Sequence, residues 1–436
     1  MEKATKINDI IPVFNKLPLN KEEDLKQFYC DTIEVRMGEN RPSPIDDLFD
    51  ACKTTEGKNA HLLMGHRGCG KSTELNNLKF RFEKEGLPVT IIDCNLDTNL
   101  FTVNHFDILY LIFLSLLNIA EKNNIALHSK WIVETLLYFK SDISDVKIEG
   151  RRVNDVIEAG TTIPDLLKKL IPFFMGIKTD LQLNTSSSTE VRTKIERETG
   201  KCLSFINELK DKIFFKLKKN PIIIFEDLDK LIPESRAIDI FSYYVLGQMS
   251  FPVIYTFPIS LSYTERFADL EGVYNLLTLP MIRVKNKEDD SICASGINAI
   301  KEIIGKRAEI SLFKEEALQE LILKTGGLIR DLFSCIVSAA KCAIHRSVSA
   351  DKIEQKDVEI ALTDLKSMMT RRLETKNYKP LLKIHKSKSE IEDRAAMLRF
   401  FQAHFVLEYN GERWCDVHPL ILDFINKHFK PENGNE

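Results

Sequence analysis

The feature that most constrains this chain is the stretch Gly65-His66-Arg67-Gly68-Cys69-Gly70-Lys71-Ser72, because of what stands on either side of it. His61 to Met64 is short and apolar, as a buried strand requires. From Thr73 onward Leu75, Leu78 and Phe82 recur on one helical face until Gly86 closes the run. A glycine loop between strand and helix is the arrangement G-x-x-x-x-G-K-[ST], filled here at every fixed position. Its glycines allow positive φ and close approach of the backbone, and the helix that follows turns its first N–H groups outward. Such a loop holds phosphate. Gly65, His66, Arg67, Gly68, Cys69, Gly70 and Thr73 would line it, Lys71 would reach the β and γ oxygens, and Ser72 would ligate Mg2+. The alternative, a glycine turn with an incidental lysine, explains neither flank.

A magnesium nucleotide also needs a carboxylate at the end of a neighbouring parallel strand. Pro221-Ile222-Ile223-Ile224-Phe225-Glu226-Asp227-Leu228-Asp229-Lys230 has that pattern, apolar residues of a buried strand followed by acids at its carboxyl end. Glu226 and Asp227 are the candidates for positioning the metal and orienting the attacking water. Val89 to Asp93 reads as the next strand and Phe106 to Ala120 as its helix; Pro252 to Ile259 and Leu277 to Val284 read as further strands. The two motifs lie several times farther apart than the roughly 30 residues of a βαβ unit, so a helical, charged insertion is expected at about 121–212.

Composition narrows the partners. Lys+Arg number 61 against Asp+Glu 64, a formal net charge of −3, so any contact with nucleic acid must be local. The 9 cysteines are scattered, odd in number and without a C-x-x-C pair, which argues against a disulfide framework and points to a reducing, cytoplasmic setting. The most apolar run, Ile108 to Leu117, is far below the roughly 20 residues that span a bilayer, so no membrane partner is expected.

With a third element, Thr325-Gly326-Gly327-Leu328-Ile329-Arg330-Asp331-Leu332-Phe333, the chain resembles P-loop ATPases of the AAA+ and STAND grouping, and is similar to bacterial relatives of the origin-recognition and loader ATPases. The resemblance runs from about residue 30 to the end. It implies ATP and Mg2+ as ligands, Arg330 as an arginine reaching over the nucleotide from a helical lid, and Thr256 as the polar sensor of the strand after the acidic one. The acids stand here as Glu226-Asp227 where the family has Asp-Glu, so their two roles are open to exchange, with Asp229 as a third participant. No motif marks an arginine finger; Arg236 and Arg266 qualify by position only.

Residues 286–369 read as all-helical, with Ile300, Ile303 and Ile304 on one stripe and Leu318, Leu321 and Ile322 on the next. Arg371 to Lys388 reads as a basic linker. Asn410-Gly411 suits a two-residue turn that pairs Glu408 with Arg413 and Leu407 with Trp414. With the helical run that follows, this resembles a winged helix. The expected fold is therefore α/β: a P-loop NTPase with a doubly wound parallel sheet, helical insertion, helical lid and C-terminal winged-helix-like domain. The expected divisions are 1–55 leading into the nucleotide site, 56–285 the core, 286–369 the lid, and 370–436 the linker and winged helix. The expected function is an ATP-hydrolysing switch that couples nucleotide state to self-association or to a separate effector protein, as the resemblance implies for bacterial defence. The alternative is a DNA-binding loader or transposition-type ATPase working through the C-terminal domain. A small-molecule kinase is a third class, and it gives no reason for the lid arginine or the wing.

Overall fold

The computed structural model describes residues 2–15, 17–38, 41–54, 57–98, 100–128, 131, 135, 147–148, 151–152, 199–409 and 413–429. Five parallel strands form the central sheet: β1 (Ala60–Gly65), β2 (Val89–Asp93), β3 (Ile222–Glu226), β4 (Val253–Pro258) and β5 (Asn275–Thr278). Their spatial order is β2-β3-β4-β1-β5. Every residue of β1, β3 and β4 is buried, which is why these strands read as apolar runs rather than as alternations. The register sets Asp93 beside Glu226 and Leu63 beside Thr256, so the acids gather where β2 and β3 end.

Helices cover both faces. The longer ones are α1 (Ile7–Val13), α2 (Glu22–Phe28), α3 (Ile33–Met37), α4 (Pro44–Thr54), α5 (Lys71–Lys84), α6 (His105–Lys122) and α7 (Thr199–Leu217). Leu48 and Cys52 of α4 and Leu75, Leu78 and Phe82 of α5 pack on Leu63, Ile222, Ile224 and Ile254. Ile108 and Ile112 of α6 and Ile206 and Leu209 of α7 pack with Leu62, Ile223, Phe225 and Tyr255. The sheet is thus doubly wound, as expected. The start of α6 is set by Asn104, whose side chain accepts from the Phe106 and Asp107 N–H groups while Asp107 accepts from the Asn104 N–H. Most of the expected insertion at 121–212 lies outside the described residues, which include there a two-residue strand pair, Lys147–Ile148 with Arg151–Arg152, and the first part of α7.

One strand expectation needs correcting. The edge strand ends at Thr278; the Leu279 N–H still donates to the Met64 carbonyl of β1 at 2.9 Å, and Pro280 to Val284 leaves the sheet. Pro280 lacks the N–H a ladder needs, and the Met281 N–H donates instead to the carbonyl of Glu408 at 3.2 Å. Four helices follow: α8 (Ala294–Arg307), α9 (Glu315–Lys324), α10 (Ile329–Arg346) and α11 (Gln355–Thr370). Ile300, Ile303, Ile304, Leu318, Leu321 and Ile322 are all buried among them. The N-terminal segment packs on this helical unit. Phe14 meets Phe333 edge to face at 5.1 Å, and the Ala4 N–H donates to the Arg307 carbonyl at 2.8 Å.

The C-terminal part departs most from expectation. Its elements are α12 (Tyr378–Ser387), α13 (Arg394–Gln402), β6 (Val406–Tyr409), β7 (Trp414–Val417) and α14 (Pro419–His428). The stretch expected as a basic linker is largely helix, because Leu381 and Ile384 give α12 a face to bury. The hairpin pairs Tyr409 with Trp414, Glu408 with Cys415 and Leu407 with Asp416, so four residues, not two, separate the strand ends. Asn410 and Gly411 lie outside the described residues. The stacking of Tyr409 on Trp414 at 4.6 Å holds this register, and the expected Glu408 and Arg413 pair survives only as a diagonal contact at 3.6 Å.

Candidate phosphate site beneath the C-terminal hairpin

Between β1 and α5 the loop takes the backbone conformations that its glycines were expected to permit. Gly68 has φ +92° and Gly70 φ +113°. A side chain at Gly68 would collide with Arg330, whose own N–H donates to the Gly68 carbonyl at 3.2 Å. Arg330 therefore lies directly on the loop. Among the described residues its guanidinium makes no hydrogen bond or ion pair.

Lys71, at the first position of α5, is folded inward. Its ammonium donates to the Gly65 carbonyl at 2.7 Å and the His66 carbonyl at 3.1 Å, and it pairs with Asp229 Oδ2 at 2.9 Å. Burial works against the charged form, but Asp229 outweighs it and the lysine pKa is raised. Arg67 donates twice to the Asp229 carbonyl, at 2.8 and 3.1 Å, and pairs with Glu234 at 2.5 Å.

Glu226 is buried, and its nearest donor is Asn76 Nδ2 of α5 at 3.4 Å. Burial, with the nearby charges of Asp227, Asp93 and Asp229, pushes its carboxyl up to about 8. Asp227, with φ +67°, pairs with Lys230 at 2.6 Å; burial raises its pKa as well. Asn76 Nδ2 also donates to the Ser72 carbonyl at 2.7 Å, so Glu226 lies close to the head of α5, and the Ser72 hydroxyl with these carboxylates would supply oxygen donors only. That chemistry fits a hard divalent cation such as Mg2+. Thr256 is placed next to the acids, but its hydroxyl accepts the Leu228 N–H at 3.0 Å and so holds the turn that carries them.

The structure adds residues that the sequence did not flag. Arg36 of α3 is buried and donates to the Cys69 carbonyl at 2.8 Å, the Pro280 carbonyl at 2.5 Å and Thr32 Oγ1 at 2.8 Å. It clips the N-terminal segment to the outside of the loop; its only sequence signal is an arginine among residues leading toward the motif. His66, taken as a loop residue, is buried under the C-terminal module. Its Nε2 accepts the Glu408 N–H at 2.8 Å, and its ring stacks on Phe401 at 5.1 Å. Burial, with His404 and Lys71 nearby, holds it well below the ordinary histidine range and therefore neutral, as an acceptor must be. Neither arginine considered as a finger reaches this site. Arg236 donates to the carbonyls of Leu100 and Val103, and Arg266 pairs with Asp239 at 2.7 Å.

The sheet order, the loop between β1 and α5, and the acids closing β3 define a P-loop NTPase fold. No protein-family model matches the chain, and no curated protein matches it. Among solved structures it is similar to the Walker-type ATPase PABY2304 of Pyrococcus abyssi, at 12% identity and a TM-score of 0.45 over 95% of this chain and 99% of that one. It is also similar to the Aeropyrum pernix ORC1 protein, solved in complex with DNA, at 12% identity and a TM-score of 0.37 over 91% and 96%. Domain III of the Thermotoga maritima replication initiation protein DnaA matches at 12% identity and 0.36 over 80% and 98%. At these values the fold assignment rests on the chain's own strand order and loop geometry. No described helix is long and apolar enough to cross a membrane.

Proposed function

We propose that the chain binds and hydrolyses ATP and that the nucleotide state sets the position of the C-terminal module. One observation carries the coupling: a residue of the phosphate loop, His66, is bonded to the backbone of the C-terminal hairpin at Glu408. A phosphate seated in the loop draws Lys71 away from the His66 carbonyl, so loading the site acts on the segment that holds the hairpin. In this reading Gly65 to Thr73 cradle the phosphates, Arg330 reads the terminal one, and Ser72 with Glu226 or Asp227 holds Mg2+. The metal supplies charge neutralisation when bound. The acid that does not hold it orients water, and Thr256 keeps both in place through Leu228.

The output is a conformational switch: self-association or recruitment of a separate effector, of the kind used in bacterial defence. The DNA-loader reading has less support here. Both hairpin strands are fully buried, and Phe401 of α13 is stacked against His66 and packs on Tyr263. One face of α13 and the described strands of the hairpin are thereby given to packing rather than to a duplex.

Limited proteolysis of the C-terminal module with ADP and with a non-hydrolysable ATP analogue tests the coupling. Glu226→Gln and Asp227→Asn should keep nucleotide bound while hydrolysis falls by roughly two orders of magnitude for the water-orienting acid. Arg330→Ala should erase much of the difference between the two cleavage patterns. Identical patterns in the wild type would refute the switch.

A further inference from the structure

An open groove of about 870 Å3 runs between α12 and α14, lined on the α12 side by Lys379, Leu382, Lys383 and Lys386 and on the other by Asn426 and Phe429. The α12 residues recur at spacings of three and four, so they share one face of the helix, opposite the buried Leu381 and Ile384. The floor of the groove is apolar. Leu382 and Phe429 are partly buried and pack on the core, and the Phe429 ring is held edge to face against Tyr378 with centroids 6.0 Å apart.

The rim is cationic. Lys379, Lys383 and Lys386 are exposed and make no ion pair among the described residues. Lys379 and Lys383 are neighbours at four residues and Lys383 and Lys386 at three, so like charges repel along this face, and no carboxylate lines the groove to offset them. Asp423 of α14 is engaged by Lys324 of α9. The groove is also fastened to the hairpin. Lys388, the residue after α12, is bonded to Asp416 of β7 and to Asp290, and the Cys415 N–H donates to its carbonyl at 3.2 Å. The face therefore moves with the hairpin that His66 ties to the phosphate loop.

We infer that this groove docks an acidic, amphipathic helical segment of a separate protein, whose apolar side chains seat on Leu382 and Phe429 while its carboxylates meet the three lysines. The floor selects a protein segment over nucleic acid: a phosphate backbone uses the lysines and has no use for Leu382, whereas a helix that carries both leucines and glutamates uses both. Lys379 to Lys386 spans about 10.5 Å at 1.5 Å per residue, so two turns of a partner helix reach all three. The docking stands on the groove alone, and its control by nucleotide rests on the switch reading above.

The probe is a labelled synthetic peptide of about 14 residues, roughly four helical turns, with leucines on one face and glutamates on the other. Its binding to the full chain is read by fluorescence anisotropy beside a scramble of the same composition, a version with lysine in place of glutamate, an oligothymidine of matching length and a DNA duplex. The wild type should favour the acidic peptide over its scramble by about tenfold or more, and the affinity should fall as salt rises. Replacing Lys379, Lys383 and Lys386 with Glu should weaken the acidic peptide by about tenfold or more and should confer binding of the lysine version, which also shows that the variant is folded. Leu382→Ser should weaken the acidic peptide about fivefold without changing its salt dependence, separating floor from rim. A wild type that binds the peptide no better than its scramble, or a reversed groove that keeps the acidic peptide, overturns the inference. Tighter lysine-dependent binding of oligothymidine or duplex makes the groove a nucleic-acid surface and overturns it equally. So does a fall in solution mass on charge reversal, by light scattering, which would place a second copy of the chain in the groove. If the peptide docks equally with ADP and with the non-hydrolysable ATP analogue, the docking stands and its coupling to nucleotide falls. If the proteolysis patterns differ between nucleotides but no peptide docks, only the docking falls.

Discussion

Two buried lysines, Lys71 and Lys388, sit in similar nests and answer to opposite demands. Lys71 is held by one carboxylate and two backbone carbonyls of the loop it belongs to. Lys388 is held by side chains: Asp416 Oδ2 at 2.7 Å, Asp290 Oδ1 at 2.6 Å and His385 Nδ1 at 3.2 Å. Asp290, His385 and Asp416 have the composition and spacing of a metal site, and the lysine ammonium occupies the centre of it. On the proposed reading the first arrangement is exchangeable: its carbonyls belong to the glycine loop, and a phosphate seated there would take over the lysine. In the second, the ammonium is shared between two carboxylates of distant segments, with no phosphate-cradling loop beside it. It ties the segment entering α8 to the C-terminal hairpin. On that reading the same residue type is a ligand hand in one place and a rivet in the other, and the difference lies in what surrounds it.

The comparison breaks most directly at the rivet. Lys388→Met should cost about 3 kcal/mol of stability, because it leaves the buried Asp416 charge without its ammonium; denaturant unfolding reads this. A loss below about 1 kcal/mol would mean the cluster is solvated and the contrast false. Lys71→Ala is next. ATP affinity should fall roughly 100-fold, about 2.7 kcal/mol, with a smaller effect on folding because Asp229 keeps Arg67 and Lys230 nearby. Unchanged affinity in calorimetry would remove the basis of the nucleotide site.

Asp229→Asn sharpens the idea of exchange. With its carboxylate competitor gone, Lys71 should bind phosphate more readily, and ATP affinity should rise about threefold to tenfold, a gain of roughly 1 kcal/mol. A fall would show that Asp229 serves the bound state. The smallest effect belongs to the lysines that share the basic stretch with Lys388 but not its burial. Lys379, Lys383 and Lys386 line an open groove on α12 and make no ion pair among the described residues. Reversing all three to Glu should change stability by less than about 0.5 kcal/mol. Should these lysines track a duplex, the same change would abolish a salt-sensitive DNA complex, and the loader reading would regain ground.

That contrast between Lys388 and its neighbours shows where reading the chain as a string stops. Seven basic residues between Arg371 and Lys388 look alike in sequence. Only the fold separates the one that is buried, because its partner Asp416 is 28 residues away and Asp290 is 98 away. The hairpin is similar. Alternation and an Asn-Gly pair announce two antiparallel strands, but the register was decided by the stacking of Tyr409 on Trp414 and by docking on Met281 and His66. Leu277 to Val284 is apolar enough for a strand throughout, and the hairpin carbonyl of Glu408 draws its second half out of the sheet.

By itself the sequence determined what depends on neighbours a few residues away. The glycine loop before α5, the apolar strands that a two-sided sheet buries, the acids closing β3 and the helical stripes of α8 and α9 are all periodic or local, and periodicity survives in a string. Tertiary structure alone decided which distant groups share a volume. Arg36 meets the Cys69 carbonyl, the Tyr29 hydroxyl donates to Glu74, and His66 accepts from a strand 342 residues further on. The reason is physical. A hydrogen bond or ion pair is set by distances of about 3 Å, and the chain that joins its partners leaves no trace of that proximity in their order.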